Sequence, residues 1–419
     1  MHPGTAVNNL RRPELLLPAG SPETLRTAVH YGADAVYLGG EAFSLRAAAK
    51  NFSAAQLKEA VSYTHAHGCR IYVAANILAH EADLSDAVSW FSFLKEVRPD
   101  AILISDPGLF RIARQVCPEI DLHISTQANN TNSGTFLFWH ELGAKRIVCG
   151  RELSLSEIAR IRAAVPDTLE IEAFVHGAMC ISYSGRCLMS NYLAGRDANQ
   201  GACTHPCRWK YTVTEETRPG EFFPVYENER GTFLFSSRDL CMIDHIPDLL
   251  KAGIDSFKIE GRVKSALYTA VCARAYRIAI DTFFEDPQCY AAQTDAYLEE
   301  VCSCTHRPYC TGFYYGKPSA DAQMYDAPAY TQEYTYLGCA EEILPDGRIR
   351  LTQKNKFSVG ETIEILRTNG ENTPVAVTAI FDENGGTMQS APHAAQIVYV
   401  TLSAGTEPPS AGDLFRRKG

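Results

Sequence analysis

The feature of this sequence that most constrains its fold is a regular alternation of short apolar runs with amphipathic stretches over the first two-thirds of the chain. Strands of a parallel sheet that are connected by covering helices produce this pattern. Eight strands are predicted, at Leu15–Leu17, Ala35–Leu38, Ile71–Ala75, Ile102–Ser105, Leu122–Ser125, Arg146–Val148, Leu169–Val175 and Ser256–Ile259. Eight such strands favour an α/β fold of the (β/α)8 or TIM-barrel type over an open doubly wound sheet.

A short turn precedes four of the predicted strands. Three of these turns contain a glycine, at Gly32, Gly143 and Gly253, and the fourth is the segment RPDAILIS that begins at Arg98. Glycine ends a helix readily because it adopts the left-handed conformation without the steric penalty of a Cβ atom. We therefore expect each of the three glycines to end a helix just before a strand.

A change of pattern near residue 330 predicts a second domain. A long helix is predicted over Lys264–Phe284, and beyond residue 330 the chain reads as short strands joined by turns such as Asp346-Gly347. Dipeptides of this kind are typical of β-hairpins. We expect a TIM-like barrel domain over residues 1–325 and a small C-terminal β-barrel domain over residues 330–419. The second domain shows no clustered His, Asp or Cys, so a structural or substrate-docking role is expected for it.

One connection in the predicted barrel is far longer than the others. Between Val175 and Ser256 lie about 80 residues, whereas an ordinary loop between a strand and a helix has only a few. This Cys-rich insertion, over about residues 177–240, begins directly after the seventh predicted strand. The loops at the carboxyl ends of the strands build the active site of a TIM barrel. We therefore expect the insertion at the mouth of the barrel, near the substrate.

The insertion and the residues after it carry five of the 14 cysteines. Cys180 and Cys187 are separated by six residues, Cys203 and Cys207 by three, and Cys241 follows. In a reducing compartment, clustered cysteines indicate metal or redox chemistry rather than disulfides. Thiolates suit zinc and iron–sulfur clusters alike, and the spacing matches neither common zinc sites nor ferredoxins. A metal site is predicted, with buried structural thiols as the alternative.

Polar side chains follow most of the predicted strands at their carboxyl ends. Those predicted to bind substrate are Asn76, Asp106, Gln127, Arg151 and Lys258, and those predicted to be catalytic are His176, Glu260 and Arg262. Arginine suits bidentate binding of a carboxylate, so Arg151 and Arg262 are candidates for holding an anionic substrate. His176 is a candidate acid or base. For each of these side chains the alternative is a salt bridge or a structural hydrogen bond.

Composition restricts the location and the class of protein. The N-terminal residues lack the apolar segment of a signal peptide, and no run of about 18 apolar residues occurs, so a cytoplasmic protein is expected. The net charge of −10 argues against a broadly basic nucleic-acid-binding surface, although it leaves room for a local basic patch. The sequence contains neither the G-x-S-x-G nor the H-E-x-x-H motif of hydrolases.

Three segments carry a resemblance to a known family: ELLLPAGSPETLRTAVHYGADAVYLG, EAFVHGAMCISYSGRCLMSNYLAGRDANQGACTHPCRWKY and SFKIEGRVKSALY. They resemble the collagenase-like peptidase family, the "unassigned" peptidase family numbered 32, and the similarity spans nearly the whole chain. The full-length layout resembles its tRNA hydroxylation protein P branch, which makes 5-hydroxyuridine in tRNA. The resemblance implies oxygen-independent hydroxylation of the tRNA wobble uridine. It also implies a [4Fe–4S] cluster as cofactor and prephenate as the source of the hydroxyl group.

The resemblance further implies which cysteines bind the cluster. Cys180, Cys187 and Cys203 match ligand positions of the ubiquinone-type members of the family. Cys207 is predicted as the fourth ligand, because a Cys-x3-Cys pair supplies ligands in a sister branch, and Cys241 is the alternative. The partners implied are tRNA and prephenate, without a membrane.

Two other functions remain open from the sequence. The family name suggests a collagenase-like peptidase. A non-enzymatic iron–sulfur scaffold would instead bind RNA or a protein, with the Arg208-Trp209-Lys210 run stacking on bases and contacting phosphates. A cluster at a barrel mouth suits redox or Lewis-acid chemistry at a bound small molecule, so hydroxylation is the function we expect.

Overall fold

The structure is a computed structural model, which describes residues 10–44, 51–180, 183, 187–208, 226–228, 231–233, 238–316, 331–405 and 407–419. The chain forms two compact units. The first is built from the described parts of Met1–Leu25, Asp34–Lys264 and Arg307–Tyr330, and the second from those of Arg26–Ala33, Ser265–His306 and Thr331–Gly419. The helices that follow the last barrel strand therefore group with the C-terminal strands.

The first unit alternates strands and helices along most of its length. Its first seven strands are β1 Glu14–Pro18, β2 Ala35–Gly39, β3 Arg70–Ala75, β4 Ala101–Ile104, β5 Asp121–Ile124, β6 Arg146–Val148 and β7 Glu170–Gly177. The helices that follow these strands in turn are α1 Pro22–His30, α2 Ala54–Ala66, α3 Leu84–Val97, α4 Pro107–Val116, α5 Ser133–Glu141, α6 Leu155–Ala164 and α7 Met189–Ala194. The next elements are β8 Tyr226–Asn228, β9 Gly231–Phe233, β10 Asp239–Cys241, α8 Ile246–Lys251 and β11 Ser256–Ile259.

Three helices and a short strand connect the barrel to the C-terminal strands. They are α9 Ala266–Glu285, α10 Pro287–Ala292, α11 Thr294–Cys302 and β12 Tyr309–Cys310. The remaining strands are β13 Tyr334–Cys339, β14 Glu342–Ile343, β15 Ile349–Thr352, β16 Phe357–Ser358, β17 Thr362–Leu366, β18 Asn372–Phe381, β19 Thr387–Met388, β20 Ser390–Ala391, β21 Ile397–Leu402 and β22 Leu414–Lys418. None of the helices in the described ranges combines the length and the apolar composition that crossing a membrane needs.

The eight parallel strands close into a barrel. Strands β1 to β7 pair in chain order, and β11 pairs in parallel with both β1 and β7. In β11, Lys258 lies opposite Leu16 on one side and opposite Phe174 on the other. The prediction of a (β/α)8 barrel is therefore confirmed, and the alternative of an open sheet is wrong, because a strand with two hydrogen-bonded neighbours leaves no edge between them.

The glycines predicted to end helices have the expected conformation. Gly32, Gly143 and Gly253 have φ angles of 95°, 99° and 81°. A Cβ atom at Gly253 would lie 2.4 Å from Cγ of Arg162, so the close packing of that side chain also requires glycine here. The fourth turn uses Arg98, which takes the left-handed conformation at φ 60° without being a glycine.

The end of the Cys-rich insertion returns to the barrel as strand β10. This strand pairs antiparallel with β7, where Cys241 lies opposite His176, and it pairs in parallel with β12. Strands β10 and β12 therefore extend the sheet beyond β7. They do so at the carboxyl end of the barrel, because β10 pairs with the last two residues of β7. The insertion is therefore anchored at the mouth of the barrel.

The second unit contains an antiparallel sheet packed around an apolar core. The strand order is β13-β22-β17-β18-β21-β15-β14, and β19 pairs with β18. Buried side chains from several strands form the core, among them Leu351, Ile365 and Val398. The predicted C-terminal β domain is thus an antiparallel sheet. Its first strand, β13, also contacts the residues after β15, because Lys354 N donates to the Leu337 carbonyl oxygen at 2.9 Å.

Helix α9 joins this second unit through buried polar contacts. Arg274 on α9 is 1% exposed, and its Nη1 donates to the carbonyl oxygen of Arg367 at 2.9 Å and to Oδ1 of Asn372 at 3.0 Å. These contacts explain why the helix belongs to the unit of the C-terminal strands. Residue spacing alone does not reveal them, because Arg274 and Arg367 are 93 positions apart.

Candidate active site

A cavity lies at the carboxyl ends of the barrel strands, within the first unit. The side chains that line it are Tyr37, Ala74, Asn76, Leu103, Ser125, Thr126, Gln127, Val148, Arg151, Phe174, Lys258, Glu260 and Arg262. They come from seven of the eight barrel strands or from the residues just after them. Convergence of polar side chains from several strand ends is the arrangement of a TIM-barrel active site.

Six of the eight side chains predicted to bind substrate or act in catalysis line this cavity: Asn76, Gln127, Arg151, Lys258, Glu260 and Arg262. They were predicted from their position after strands, and the closure of the barrel brings those strand ends together. Their roles in binding or catalysis remain predictions, because position shows only that they meet in one cavity.

Arg151 and Glu260 form an ion pair in the cavity. Nη2 of Arg151 donates to Oε2 of Glu260 at 3.0 Å, and Nη1 donates to the carbonyl oxygen of Ala178. The guanidinium group stacks on the ring of Phe174 at 3.9 Å. These three contacts fix the plane of the guanidinium group, and they hold the Glu260 carboxylate at the mouth of the barrel.

Arg262 is packed against two glycines. It is buried, and its Nη1 donates to Oγ of Ser44 at 2.7 Å. A Cβ atom at Gly39 would lie 2.3 Å from Nη1 of Arg262, and one at Gly20 would lie 1.8 Å from the Arg262 carbonyl oxygen. The backbone after β1 and at the end of β2 therefore needs glycine so that Arg262 can reach the cavity.

Lys258 lies in the wall of the cavity and is almost completely buried. Its Nζ donates to Oε1 of Glu172 at 2.7 Å and lies 4.2 Å from the ring centre of Tyr37 and 5.4 Å from that of Phe174. Burial lowers the pKa of Lys258, and this effect outweighs the opposite effect of the nearby Glu172 carboxylate.

A charged network continues from Lys258 into the barrel interior. Glu172 also accepts from Nη1 of Arg146 at 3.2 Å, and Arg146 in turn donates to Glu14 and to Glu170. Glu14 also forms an ion pair with Arg70. Burial would raise the pKa of Glu14, but Arg146 and Arg70 together lower it below its ordinary value.

Sequence reasoning missed this network. Its members are charged residues inside apolar strand runs, such as Glu14 in ELLLP, Glu172 in EIEAFV and Arg146 in RIV. A charged residue in a buried strand is rare unless it is paired. The sequence therefore indicates that these residues form ion pairs. The pairing partners themselves could not be read from the chain, since Arg146 and Glu14 are 132 positions apart.

The neutral polar side of the cavity comes from the ends of β3 and β5. Asn76 donates from Nδ2 to Oγ of Ser125 at 3.3 Å, and Thr126 donates from its hydroxyl group to the Cys149 carbonyl oxygen at 2.8 Å. The side-chain amide oxygen of Gln127 is buried and has no hydrogen-bond partner among the described residues. A buried acceptor in this state is available to a donor on a bound ligand.

Two predicted site residues lie elsewhere. Asp106 is the N-cap of α4, and its Oδ1 accepts from the backbone N–H groups of Gly108 and Leu109 at 2.8 and 3.0 Å. His176 is buried in β7, with its Nε2 3.4 Å from the hydroxyl oxygen of Tyr309. Neither residue is among the described side chains that line the cavity.

Hydrogen bonds hold together the segments that carry three of the predicted ligand cysteines. Asn199 donates from Nδ2 to the Cys187 carbonyl oxygen at 3.1 Å, and Thr204, next to Cys203, donates from its backbone N–H to Oγ of Ser190 at 3.1 Å. Gln200 attaches this part of the insertion to the loop after β3, because its Nε2 donates to the Leu78 carbonyl oxygen at 2.9 Å.

The chemistry of the predicted donors fits an iron–sulfur cluster. Cys180 is exposed, whereas Cys187, Cys203 and Cys207 are half-buried, and all are free thiols. The backbone N–H of His205 donates to Sγ of Cys203 at 3.4 Å, a contact that stabilises thiolate sulfur in cluster sites. Within the described ranges, no three His, Cys, Asp or Glu side chains are grouped to hold a metal ion, so the ligand set stays a prediction.

The alternative fourth ligand, Cys241, is buried in β10 opposite His176. It lies on the sheet that extends the barrel, rather than in the segment held by Asn199 and Thr204. Of the Arg208-Trp209-Lys210 run, Trp209 and Lys210 lie outside the described residues.

Comparison with known proteins assigns the family. Residues 20–324 match the family model "Peptidase family U32", and residues 332–416 match "Peptidase family U32 C-terminal domain". The chain belongs to peptidase family U32. The cavity and the Cys-rich insertion both fall within the first of the two U32 matches.

Relatives within the U32 family are named for RNA hydroxylation. The chain is 38% identical to tRNA hydroxylation protein P1 of Bacillus subtilis, over 95% of this chain and 94% of that protein. It is 37% identical to tRNA hydroxylation protein P of Escherichia coli, over 91% of this chain and 92% of that protein. It is also 31% identical to the 23S rRNA 5-hydroxycytidine C2501 synthase of Escherichia coli, over 86% of this chain and 52% of that protein.

Proposed function

We propose that this chain is an RNA-hydroxylating enzyme that converts the wobble uridine of tRNA to 5-hydroxyuridine. The observation that carries the proposal is the similarity to tRNA hydroxylation protein P1 over 95% of the chain. The relative named for 5-hydroxycytidine synthesis supports the same class of reaction, since both products carry a hydroxyl group on a pyrimidine ring. The cavity at the barrel mouth is the site where we expect the pyrimidine to react.

Neutral polar side chains are suited to the uracil ring. Gln127 and Asn76 present amide groups to the cavity, and the buried amide oxygen of Gln127 is placed to accept a hydrogen bond from an N–H group of the base. A uridine must leave its stacked position to enter a cavity of this kind, as bases do in other enzymes that modify them. The wobble position lies in a single-stranded loop, where that step costs least.

The cationic side chains are suited to a carboxylate-bearing co-substrate. We propose that prephenate binds in the same cavity as the source of the hydroxyl group, without molecular oxygen. Arg262, held by Ser44 and the two glycines, would bind a carboxylate, and Arg151 and Lys258 would add positive charge beside it. Asp106 caps a helix outside the cavity lining, so its proposed contact with substrate has no support from its position.

The proposed cofactor is a [4Fe–4S] cluster held by Cys180, Cys187, Cys203 and Cys207. When bound, it would supply redox or Lewis-acid chemistry beside the substrate. Among the residues of the chain, Glu260, held by Arg151, would accept or return a proton at its carboxylate. His176 lies outside the cavity lining, so the proton transfer proposed for its imidazole has no support from its position. The contacts of Asn199 and Gln200 would keep the cluster segment at the barrel mouth.

Nucleoside analysis of tRNA tests the proposed function. A strain that lacks this gene should lose 5-hydroxyuridine and its derivatives from total tRNA, and the intact chain should restore them. Arg262→Gln should fail to restore them, because the carboxylate contact is lost. Arg348→Gln, which changes a half-exposed arginine just before β15 in the second unit, should restore them fully. An unchanged nucleoside profile in the deletion strain would reject the function.

Metal analysis tests the cofactor separately. Protein purified without oxygen should contain iron and acid-labile sulfide and absorb visible light. One zinc per chain without sulfide would reject the cluster while leaving RNA as the substrate.

A second function is favoured by the family name, which describes a peptidase. Peptide hydrolysis that persists after Cys180→Ala and Cys187→Ala, in protein that does not change the tRNA nucleosides, would support that reading instead.

A further inference from the structure

Lys258 has surroundings that differ from those of the other cations in the cavity. It is 3% exposed, yet it lines the cavity, and its amino group lies over the Tyr37 ring at 4.2 Å. Arg151 and Arg262 carry charges that cannot be removed, whereas a lysine amine becomes a nucleophile when it loses its proton. Burial of the amine away from water favours that neutral form.

The charge balance around Lys258 permits the loss of its proton. The two buried carboxylates of the network are Glu14 and Glu172, and two arginines already pair with them. Arg146 contacts both carboxylates, and Arg70 contacts Glu14. The third carboxylate of the network, Glu170, is one-third exposed to solvent. Glu172 therefore keeps a cationic partner when Lys258 is neutral, and no buried carboxylate is left uncompensated.

We propose that Lys258 is a nucleophilic residue that captures the carbonyl group of a small 2-oxo acid as an imine. This inference rests on the proposed function, because the carboxylate-bearing co-substrate proposed for the cavity carries a ketone beside a carboxylate. Arg262 lines the same cavity and supplies the cation that binds this carboxylate. Lys258 lies on β11 and Arg262 lies three residues after its end, so this strand and the turn that follows it present both groups.

The step balances without an oxidant or a reductant. The neutral amine adds to the carbonyl carbon, and a proton moves from nitrogen to the carbonyl oxygen to give a carbinolamine. The C–O bond then breaks, water leaves, and a C=N bond forms. Glu260 lies in the cavity and is placed to transfer the protons. The imine withdraws electrons from the carbon atoms beside it. This weakens the bonds of the captured acid to its other substituents and so activates it for loss of one of them.

Reductive trapping tests the proposal on the intact protein. The full-length chain is incubated with phenylpyruvate and cyanoborohydride, and the modified lysines are located by peptide mass mapping. We expect Lys258 to carry most of the adduct and Lys251 little of it, because burial lowers the pKa of Lys258 and Arg262 lies in the same cavity to bind the carboxylate of the probe. Lys251 is the internal reference, since its side chain is 69% exposed. Phenyllactate, which lacks the carbonyl group, should give no adduct.

Two variants complete the test. Lys258→Arg keeps a cation beside Glu172 but cannot form an imine, so it should lose the specific adduct and all 5-hydroxyuridine formation in the complemented strain. Lys258→Met, with circular dichroism to check folding, should behave in the same way. Trapping at Lys258 no greater than at Lys251, or normal 5-hydroxyuridine with Lys258→Arg, would overturn the proposal. If the intact chain restores 5-hydroxyuridine while trapping fails, the imine is rejected and the proposed function stands.

Discussion

Removal of Arg146 should destabilise the barrel more than removal of any exposed arginine. Arg146 is 1% exposed and is the common partner of Glu14, Glu170 and Glu172. In Arg146→Met, the packing volume is largely kept but the charge is lost. Glu14 then retains Arg70, and Glu172 retains Lys258. Both buried carboxylates therefore lose one of two cationic partners.

The size of the effect follows from these remaining contacts. Removing one partner of a buried ion pair costs about 3–5 kcal/mol. Each carboxylate keeps a cation, so we expect one such loss in total rather than one for each carboxylate. A loss of about 3–5 kcal/mol corresponds to a fall in Tm of roughly 6–20 °C for a domain of this size.

The effect should also depend on pH. In the intact chain, Arg146 and Arg70 overcome the effect of burial and lower the pKa of Glu14. Stability from the ionised Glu14 is therefore present above the carboxyl group's ordinary pKa and is lost as the pH falls below it. Without Arg146, burial dominates and the carboxyl pKa rises, so mild acid relieves the penalty by protonation. The difference in Tm between the intact chain and Arg146→Met should thus be larger at pH 8 than at pH 5.

Thermal unfolding followed by circular dichroism at both pH values measures this prediction. Arg348→Met is the matched control, because Arg348 forms an exposed pair with Asp346 and such pairs contribute little. A fall in Tm equal to that of Arg348→Met, or the same fall at both pH values, would refute the reasoning.

Three further predictions concern the turns, a helix cap and the cluster. Gly253→Ala should lower the free energy of unfolding by about 1–3 kcal/mol, because φ is 81° and Cβ would meet Arg162; the Tm measures this. Asp106→Ala should destabilise by about 1 kcal/mol through the lost cap and leave tRNA 5-hydroxyuridine unchanged, as nucleoside analysis would show. Cys207→Ser should lower the iron and sulfide content of anaerobically purified protein, whereas Cys241→Ser should not.

Each of these predictions has a control within the chain. Gly195→Ala has the same left-handed strain at φ 63° without any atom near the new Cβ, so it should cost less than Gly253→Ala. Ser154→Ala removes the cap of α6 and should match Asp106→Ala in stability. If Asp106→Ala loses 5-hydroxyuridine and Ser154→Ala does not, Asp106 acts at the substrate site. Loss of iron in Cys241→Ser would favour Cys241 over Cys207 as the fourth ligand.

The sequence by itself determined the elements of the barrel and the positions of most cavity side chains. Buried parallel strands require continuous apolar runs, and all eight runs were visible in the sequence. Glycine-ended turns precede three of them, at Gly32, Gly143 and Gly253. The carboxyl ends of parallel strands share one end of a barrel, so Asn76 and Arg262 could be placed in one cavity from their offsets alone.

Only the tertiary structure decided which charged groups meet and which predicted residues stay outside the cavity. Lys258 and Glu172 are 86 positions apart, and they face each other because β11 closes the barrel against β7 in one register. Asp106 has the same offset from its strand as other cavity residues, but the backbone N–H groups of α4 bind its carboxylate. Local periodicity follows from hydrogen bonding within a segment. Pairing across the barrel depends on closure and register, which no single segment of the chain contains.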